Sequence, residues 1–163
     1  MPTPVTDALR RTRQHHAIEH ATIHLLSARH PRVSMAGLSD PWGFTLYGEL
    51  PTEAIEQAVS EALLRLQSGE AALAIHPNCG TNLTTSIFLA TFAGLLGSGF
   101  RRRHPLDRFA GMAVLMALAL LVAQPLGMRL QRLTTSPAVA DRWLVRVSPL
   151  VGGSQRAHRI HLA

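Results

Sequence analysis

The sequence predicts an α+β fold, in which a small N-terminal α-β-β-α-β domain is followed by a transmembrane helical hairpin and a short basic tail. Residues 83–100 and 109–128 contain no charged side chain, and each stretch is about as long as a helix that crosses a bilayer. Residues 1–82 are more polar and change between helix-like and strand-like patterns. We therefore expect a polar domain at 1–82, the hairpin at 83–128 and the tail at 129–163.

The polar domain is predicted to contain two helices, a β-hairpin between them and a third strand. A helical pattern follows the capping candidates Thr6 and Asp7 and stops before Pro31. Short alternating apolar pieces then favour a hairpin, and a second helix begins at Thr52 with acidic residues in its first turn. The predicted bounds are 6–28 and 52–69 for the helices, 33–50 for the hairpin and 71–75 for the third strand.

The two uncharged stretches are predicted to pack as antiparallel membrane helices. The linker 101–108 is short and charged, and Gly94, Gly97 and Gly99 permit close packing of helices. Two buried helices of a soluble protein are disfavoured, because the 82 residues before them could hardly cover two such apolar helices. Beyond the second stretch, residues 143–147 are expected either to lie at the membrane interface or to pair as a strand.

The basic charge of the chain is unevenly placed. The net charge is +6, but residues 1–82 hold six arginines against eight acidic residues, whereas residues 101–163 hold ten arginines against two aspartates. Arginines beside apolar stretches are typical of contact with lipid headgroups, so we expect a lipid bilayer as partner and no nucleic acid. The chain has no lysine, which excludes a P-loop and lysine Schiff-base chemistry.

An H-x-x-E-H motif, formed by His16, Glu19 and His20, lies on the first predicted helix. At 100° per residue the three side chains share one face. Two imidazoles one turn apart can occupy adjacent corners of a tetrahedral Zn²⁺ site, and a neighbouring carboxylate can act as general base on a metal-bound water. This is the inverzincin arrangement. His24 continues the row and is a further metal-ligand candidate; the competing interpretation is a hydrated polar helix face.

The second half of the predicted site is the loop before the first membrane helix. A zinc site needs at least a third protein ligand, and His76 and Cys79 both offer atoms that bind Zn²⁺ or another divalent transition metal. The alternative for Cys79 is a small buried apolar side chain, although a helix N-terminus would favour its thiolate. The remaining histidines are expected to be solvated, although two of them, in the tail, could fold back onto the domain. The five are His15, His30 and His104 and, in the tail, His158 and His161.

Three blocks of the sequence resemble the YqhQ-like family of bacterial membrane proteins, which are described as predicted metal-dependent enzymes. Residues 16–24 have the sequence H-A-I-E-H-A-T-I-H and are similar to that family's H-G-A-E-H-K-T-I block. Residues 76–83, H-P-N-C-G-T-N-L, are similar to its H-P-R-C-G-T-S-F block, and residues 130–135 to its L-Q-R-L-T-T block. Order and spacing agree over roughly residues 14–136, as in a smaller and divergent relative.

The resemblance implies a metal-centred role for His16, Glu19, His20, His76 and Cys79. It implies no particular reaction. Ala17, Ala21 and Asn78 depart from the family's pattern, and they leave the metal-ligand positions intact while putting a shared substrate in doubt.

Two functions are compatible with these residues. The first is a membrane-bound zinc hydrolase, such as a peptidase, in which His16, His20 and His76 bind the metal and Glu19 is the general base. The second is a non-enzymatic membrane subunit or adaptor, in which Cys79 completes a closed, structural metal site. A catalytic site keeps one position open for water, so the number of protein ligands distinguishes the two.

The expected location is the bacterial plasma membrane. The missing signal peptide favours an N-terminal domain on the cytoplasmic side. The arginines of the linker between the two membrane helices favour the opposite orientation, with the linker on the cytoplasmic side. We expect the N-terminal domain to be cytoplasmic. Other membrane-protein subunits or a second copy of the chain are further expected partners, because the glycines of the first stretch can serve close helix packing.

Overall fold

A computed structural model of the chain describes residues 3–76, 79–99, 104–150 and 156–163. Within these ranges the fold is mixed α+β, with four α-helices, one 3-10 helix and one antiparallel sheet of four strands. The elements are α1 (Pro4–Arg29), β1 (Ala36–Asp40), β2 (Gly43–Tyr47), α2 (Thr52–Gln67), the 3-10 helix (Ala71–Ala74), α3 (Gly80–Gly99), α4 (Pro105–Thr134), β3 (Leu144–Leu150) and β4 (Ala157–Leu162).

The chain divides into two compact units. The first unit combines residues 1–76 with residues 133–163, and the second comprises residues 77–132. All four strands belong to the first unit, together with α1 and α2. The second unit contains α3 and almost all of α4.

Helix α1 begins earlier than predicted, because Thr3 rather than Thr6 or Asp7 caps it. The Thr3 hydroxyl accepts the backbone N–H of Thr6 at 3.4 Å, and Pro4 occupies the first turn, where a missing N–H costs nothing. Asp7 instead lies in that first turn and pairs with Arg10 and with Arg11. The predicted end is confirmed to within a residue, since the helix stops at Arg29 before Pro31.

The sheet has the strand order β1-β2-β4-β3, and every neighbouring pair is antiparallel. The hairpin predicted between residues 33 and 50 is β1 and β2. Within the predicted basic C-terminal tail, residues 144–150 form β3 and residues 157–162 form β4, so this part of the chain belongs to the sheet. Of the two expectations for residues 143–147, strand pairing is the correct one. Burial of apolar side chains explains why these strands join the sheet. Phe44 of β2 and Ile160 of β4 are paired across the two strands, and both side chains are fully buried.

The third strand predicted at residues 71–75 is also wrong, because residues 71–74 form the 3-10 helix. Alanine is a poor strand former, and this segment has three alanines in four residues. The edge of β2 that a third strand would need is paired with β4. The short helix places the backbone carbonyl of Ala74 beside α1, which matters for the site described below.

A shared apolar core joins the helices and the sheet of the first unit. Helix α1 packs against β1, β2 and α2, while α2 packs against β3. Ile18 and Leu26 of α1 and Ile55 of α2 are fully buried in this core. Because the apolar face of α1 is buried in this core, the rotation of the helix about its axis is fixed, and so is the set of its side chains that contact the sheet.

In the second unit, α3 and α4 pack as an antiparallel pair. Gly97 of α3 lies against Met112 of α4, and a Cβ on this glycine would come within 2.9 Å of the Met112 Cα. At the other end, Gly127 of α4 lies against Asn82 of α3. The glycines therefore allow the close approach that the sequence predicted for this pair.

The described residues contain one helix that is long and apolar enough to cross a membrane, and that helix is α4. Only 6% of its most apolar stretch is buried, unlike the core helix of a soluble protein. Of the predicted hairpin of two membrane-spanning helices, the described residues thus contain one candidate, α4, and the predicted first span, residues 83–100, ends just beyond the described part of α3. Helix α3 carries no charged residue, and its first turns contain the polar residues Thr81, Asn82, Thr84, Thr85 and Ser86.

Candidate metal centre

The polar side chains of α1 form two rows, and the members of each row are four residues apart. One row contains His16, His20 and His24, and the other contains His15 and Glu19. Residues four apart lie above one another on a helix, while the two rows are offset by about 100°. The rows therefore meet different parts of the first unit.

His20 has the contacts of a metal-ligating histidine. Its side chain is 2% exposed, and its Nδ1 lies 2.7 Å from the Ala74 carbonyl oxygen. A carbonyl only accepts, so Nδ1 carries the proton and Nε2 presents a lone pair. Nε2 is buried and has no hydrogen-bond partner among the described residues. A backbone carbonyl that fixes the tautomer in this way is usual behind a metal-bound imidazole.

His16 repeats this orientation beside His20. Its Nδ1 donates to the Thr134 carbonyl oxygen at 3.1 Å, which directs the lone pair to Nε2. The two rings are 4.3 Å apart between centroids, and a ligand nitrogen of each lies within 4.8 Å of the other. Two nitrogens bound to one tetrahedral zinc are about 3.3 Å apart, so small side-chain rotations suffice to bind a shared ion.

His76 joins the row from outside α1. Its ring centroid is 6.1 Å from that of His20 and 5.3 Å from that of His24. Burial, and then the proximity of His20 and His24, lowers the pKa of His76 from 6.5 to about 4. The ring is therefore neutral at pH 7, which is the form that binds a metal.

Glu19, predicted as the general base, is held against strand β1. It is 5% exposed, and its Oε2 accepts a hydrogen bond from the Ser39 hydroxyl at 2.5 Å. Its carboxylate also occupies the space where Gly37 would carry a Cβ. Sequence reasoning missed Ser39 and Gly37. A glycine within a predicted strand was the available signal for a close approach of another group.

Cys79 lies in the second unit, three residues beyond His76 in the chain. It is buried and is the single cysteine of the sequence. Its Sγ accepts the backbone N–H of Thr81 at 3.4 Å, at the first turn of α3. Amide donors and a helix N-terminus are both features that stabilise a thiolate.

Two histidines that were expected to be solvated are buried instead. His15 is fully buried, and its Nδ1 lies 2.8 Å from the Asp40 carbonyl oxygen. His158 is 4% exposed, and its Nε2 lies 3.1 Å from the Thr52 hydroxyl. The expectation for His15 failed because its partner is distant in sequence. For His158 the alternative is correct, because the tail folds back and β4 lies inside the sheet.

His15 also has a buried Nε2 without a hydrogen-bond partner in the described part of the chain. Burial lowers the pKa of His15, and the positive charges of Arg142 and Arg11 lower it further. Arg142 itself is 6% exposed and pairs with Asp141. The surroundings of His15 therefore disfavour a second cation.

Comparisons with known proteins place the chain in an uncharacterised bacterial family. Residues 11–147 match the family model "Domain of unknown function (DUF6391)", and the chain belongs to this family. An uncharacterised protein of the cyanobacterium Picosynechococcus sp. is 37% identical over 135 residues, which are 76% of this chain and 65% of that relative. No solved structure matches the chain. The matched residues include both the H-x-x-E-H motif and the His76–Cys79 loop.

Proposed function

We propose that this protein is a membrane protein whose first unit binds a divalent transition metal ion, zinc foremost, through His16, His20 and His76. The observation that carries the proposal is the orientation of His20: Nδ1 donates to a backbone carbonyl, and the lone pair of Nε2 is buried beside two further imidazoles. Three imidazoles suit Zn²⁺ and its neighbours in the transition series better than Mg²⁺ or Ca²⁺.

Cys79 is the proposed fourth ligand. Two residues separate it from His76, and three peptide steps span at most about 11 Å, so the thiolate is within reach of the same ion by chain length alone. Thiolate and imidazole together form the Cys-His sets that are common in structural zinc sites. In this form the metal stabilises the fold of a non-enzymatic membrane subunit or adaptor.

The contacts of Glu19 favour this structural form over the hydrolase. A general base must reach a metal-bound water, whereas the Glu19 carboxylate bonds to Ser39 and packs on Gly37 of the sheet. The hydrolase, with a peptidase as one example, is the second candidate. It is supported by the partial exposure of His16, because a catalytic metal needs one position that water can reach.

We further propose that α4 spans the bacterial plasma membrane and that the first unit lies on the cytoplasmic side. The exposed apolar surface of α4 supports the first statement, and the arginines Arg129 and Arg132 near its C-terminal end are suitable headgroup contacts. The similarity of the motif blocks to the YqhQ-like family supports a metal-centred membrane protein. Partners within the membrane are other subunits or a second copy of the chain.

The test is metal analysis of the full chain, purified in detergent without chelators, for the wild type, His20→Ala, Cys79→Ala and the control His15→Ala. We expect about one equivalent of metal in the wild type and in His15→Ala, and almost none in His20→Ala. Metal-free wild-type protein that also fails to bind added Zn²⁺ would overturn the proposal.

The two candidate functions are separated by cobalt substitution. A closed site with a thiolate gives a sulfur-to-cobalt charge-transfer band that is lost in Cys79→Ala, and its spectrum does not respond to acetohydroxamate. An open catalytic site changes its spectrum when this small ligand is added, and it should retain cobalt in Cys79→Ala.

A further inference from the structure

Four imidazoles of the first unit form a continuous path, which leads from the exposed His24 to the buried His20 and its neighbour His16. The centroid distances are 5.3 Å from His24 to His76, 6.1 Å from His76 to His20, and 4.3 Å from His20 to His16. The exposure of the rings falls from the exposed His24 through the partly buried His76 to His20, which is 2% exposed. Each ring therefore lies close enough to the next to share one metal ion with it.

We infer that His24 and His76 form an entry site, which captures a hydrated divalent transition metal ion and passes it to the buried His20 and the partly buried His16. The inference rests on the proposed function and adds a route to it. His76 is the pivot, because its ring lies between the exposed His24 and the buried His20. His24 thereby becomes a loading residue rather than a permanent ligand of the buried site.

The route has a physical reason. A hydrated divalent ion cannot enter a buried site with its water shell, and removing the shell in one step is costly. Along the path each imidazole nitrogen replaces one water molecule, so the ion exchanges ligands one at a time. The step is a ligand exchange in which nothing is oxidised. The waters leave on the exposed side, where His24 meets solvent.

His24 and His20 also differ in how they are held. His20 is fixed by the Ala74 carbonyl, as a permanent ligand needs, and His16 is fixed by the Thr134 carbonyl. The contact described for His24 is instead an edge-to-face one with the His76 ring, with an interplanar angle of 89°. An exposed ring in such a contact can rotate to take up an ion and rotate back to release it.

The test measures the rates of Co²⁺ uptake and of Co²⁺ loss to excess EDTA by stopped-flow absorbance, on the full chain in detergent. His24→Ala is compared with the wild type and with His30→Ala, a control at the end of the same helix that lies outside the path. We expect both rates to fall about tenfold in His24→Ala, the lower end of effects at residues beside a metal site, with Kd unchanged. His30→Ala should behave as the wild type.

Equal slowing of both rates is the signature of a lost route, because the equilibrium constant is independent of the path. A Kd that rises in His24→Ala as much as in His20→Ala would make His24 a permanent ligand and overturn the inference. Unchanged rates would also overturn it while leaving the proposed function intact. A wild type that binds neither Co²⁺ nor Zn²⁺ would overturn both the inference and the proposed function.

A second variant, His24→Cys, separates a ligand role from a structural one. A thiol also binds the metal, so His24→Cys should restore fast uptake, which a purely structural role of His24 would not explain.

Discussion

His20 and His15 lie on the same helix with the same local geometry, and yet we assign a metal to only one of them. Both rings are buried, both place Nδ1 within hydrogen-bond distance of a backbone carbonyl, and both have an Nε2 with no hydrogen-bond partner in the described ranges. Their surroundings differ. His20 is flanked by the rings of His16 and His76, whereas His15 is close to the charges of Arg142 and Arg11.

The comparison teaches that an unpaired buried nitrogen does not by itself define a metal ligand. A cation needs several neutral or negative donors that point at one place. The His16 row has three imidazoles, and His76 adds a fourth. The row of His15 has one imidazole, a carboxylate bound to the sheet and a buried guanidinium nearby.

The largest expected effect follows directly from this difference. His20→Ala should weaken Zn²⁺ binding by more than about 100-fold, beyond the 10–100-fold that is typical of a lost outer-shell partner. His15→Ala should leave Zn²⁺ affinity unchanged but lower the free energy of unfolding by about 2–4 kcal/mol, because it leaves a cavity in the core. Competition with a chromogenic chelator measures the affinity, and urea denaturation measures the stability.

The opposite pattern would break the comparison. If His15→Ala lost the metal and His20→Ala retained it, the ion would belong to the row that faces the sheet. If both variants lost the metal while their circular dichroism remained that of a folded protein, the two rows could not be treated as separate.

The next largest effect concerns Cys79. Cys79→Ser should weaken Zn²⁺ binding by about 10–100-fold, because a hydroxyl is a much poorer ligand than a thiolate but leaves the histidines in place. The Co²⁺ form should lose its sulfur charge-transfer band. An unchanged affinity and spectrum would assign Cys79 to the apolar interior and return the hydrolase to first place.

How far the sequence predicts this site depends on whether the partners are local or distant. The spacing of His16, His20 and His24 places them on one face of a helix, and helix periodicity is a local property. The partners of their Nδ1 atoms are backbone carbonyls of residues 74 and 134, and no side-chain pattern marks those positions. The burial of His15 depends equally on a strand that is paired far along the chain.

The same distinction explains the errors in the fold. The β1–β2 hairpin was predictable because its partners are adjacent in sequence, whereas β4 inserts beside β2 from more than a hundred residues away. The segment at residues 71–75 was ambiguous on its own, and the occupied sheet edge decided against a strand.

A smaller effect is expected at Gly37, which tests the other row of α1. Gly37→Ala puts a methyl group where the Glu19 carboxylate lies, and such overpacking should lower the free energy of unfolding by about 1–3 kcal/mol. Zn²⁺ affinity should remain unchanged because the clash falls on the His15 side. A large loss of metal with normal stability would indicate that Glu19 acts on the metal after all.

The control for this substitution is Gly80→Ala, because a Cβ at Gly80 meets no neighbouring atom. The exposed Gly69 also has space for a Cβ, but its positive φ makes it unsuitable as a control.

The smallest effect is expected for Ser39→Ala, which removes the hydrogen bond to Glu19 without a clash. The expected loss is about 1 kcal/mol, because water can partly replace the hydroxyl. Thermal denaturation in the presence and in the absence of Zn²⁺ measures it, and the stabilisation by Zn²⁺ should equal that of the wild type. A reduced stabilisation would couple Ser39 and Glu19 to the ion and weaken the separation of the two rows.

The central claim is that imidazoles of the His16 row hold the metal, and X-ray absorption at the zinc edge of the zinc-loaded full chain tests it most directly. We predict imidazole scattering from two or three histidines at about 2.0–2.1 Å, with a sulfur at about 2.3 Å if Cys79 completes the site. The signal of one histidine should disappear in His16→Ala and persist unchanged in His15→Ala. A zinc environment of oxygen ligands alone, or one that is the same in all three proteins, would contradict the account.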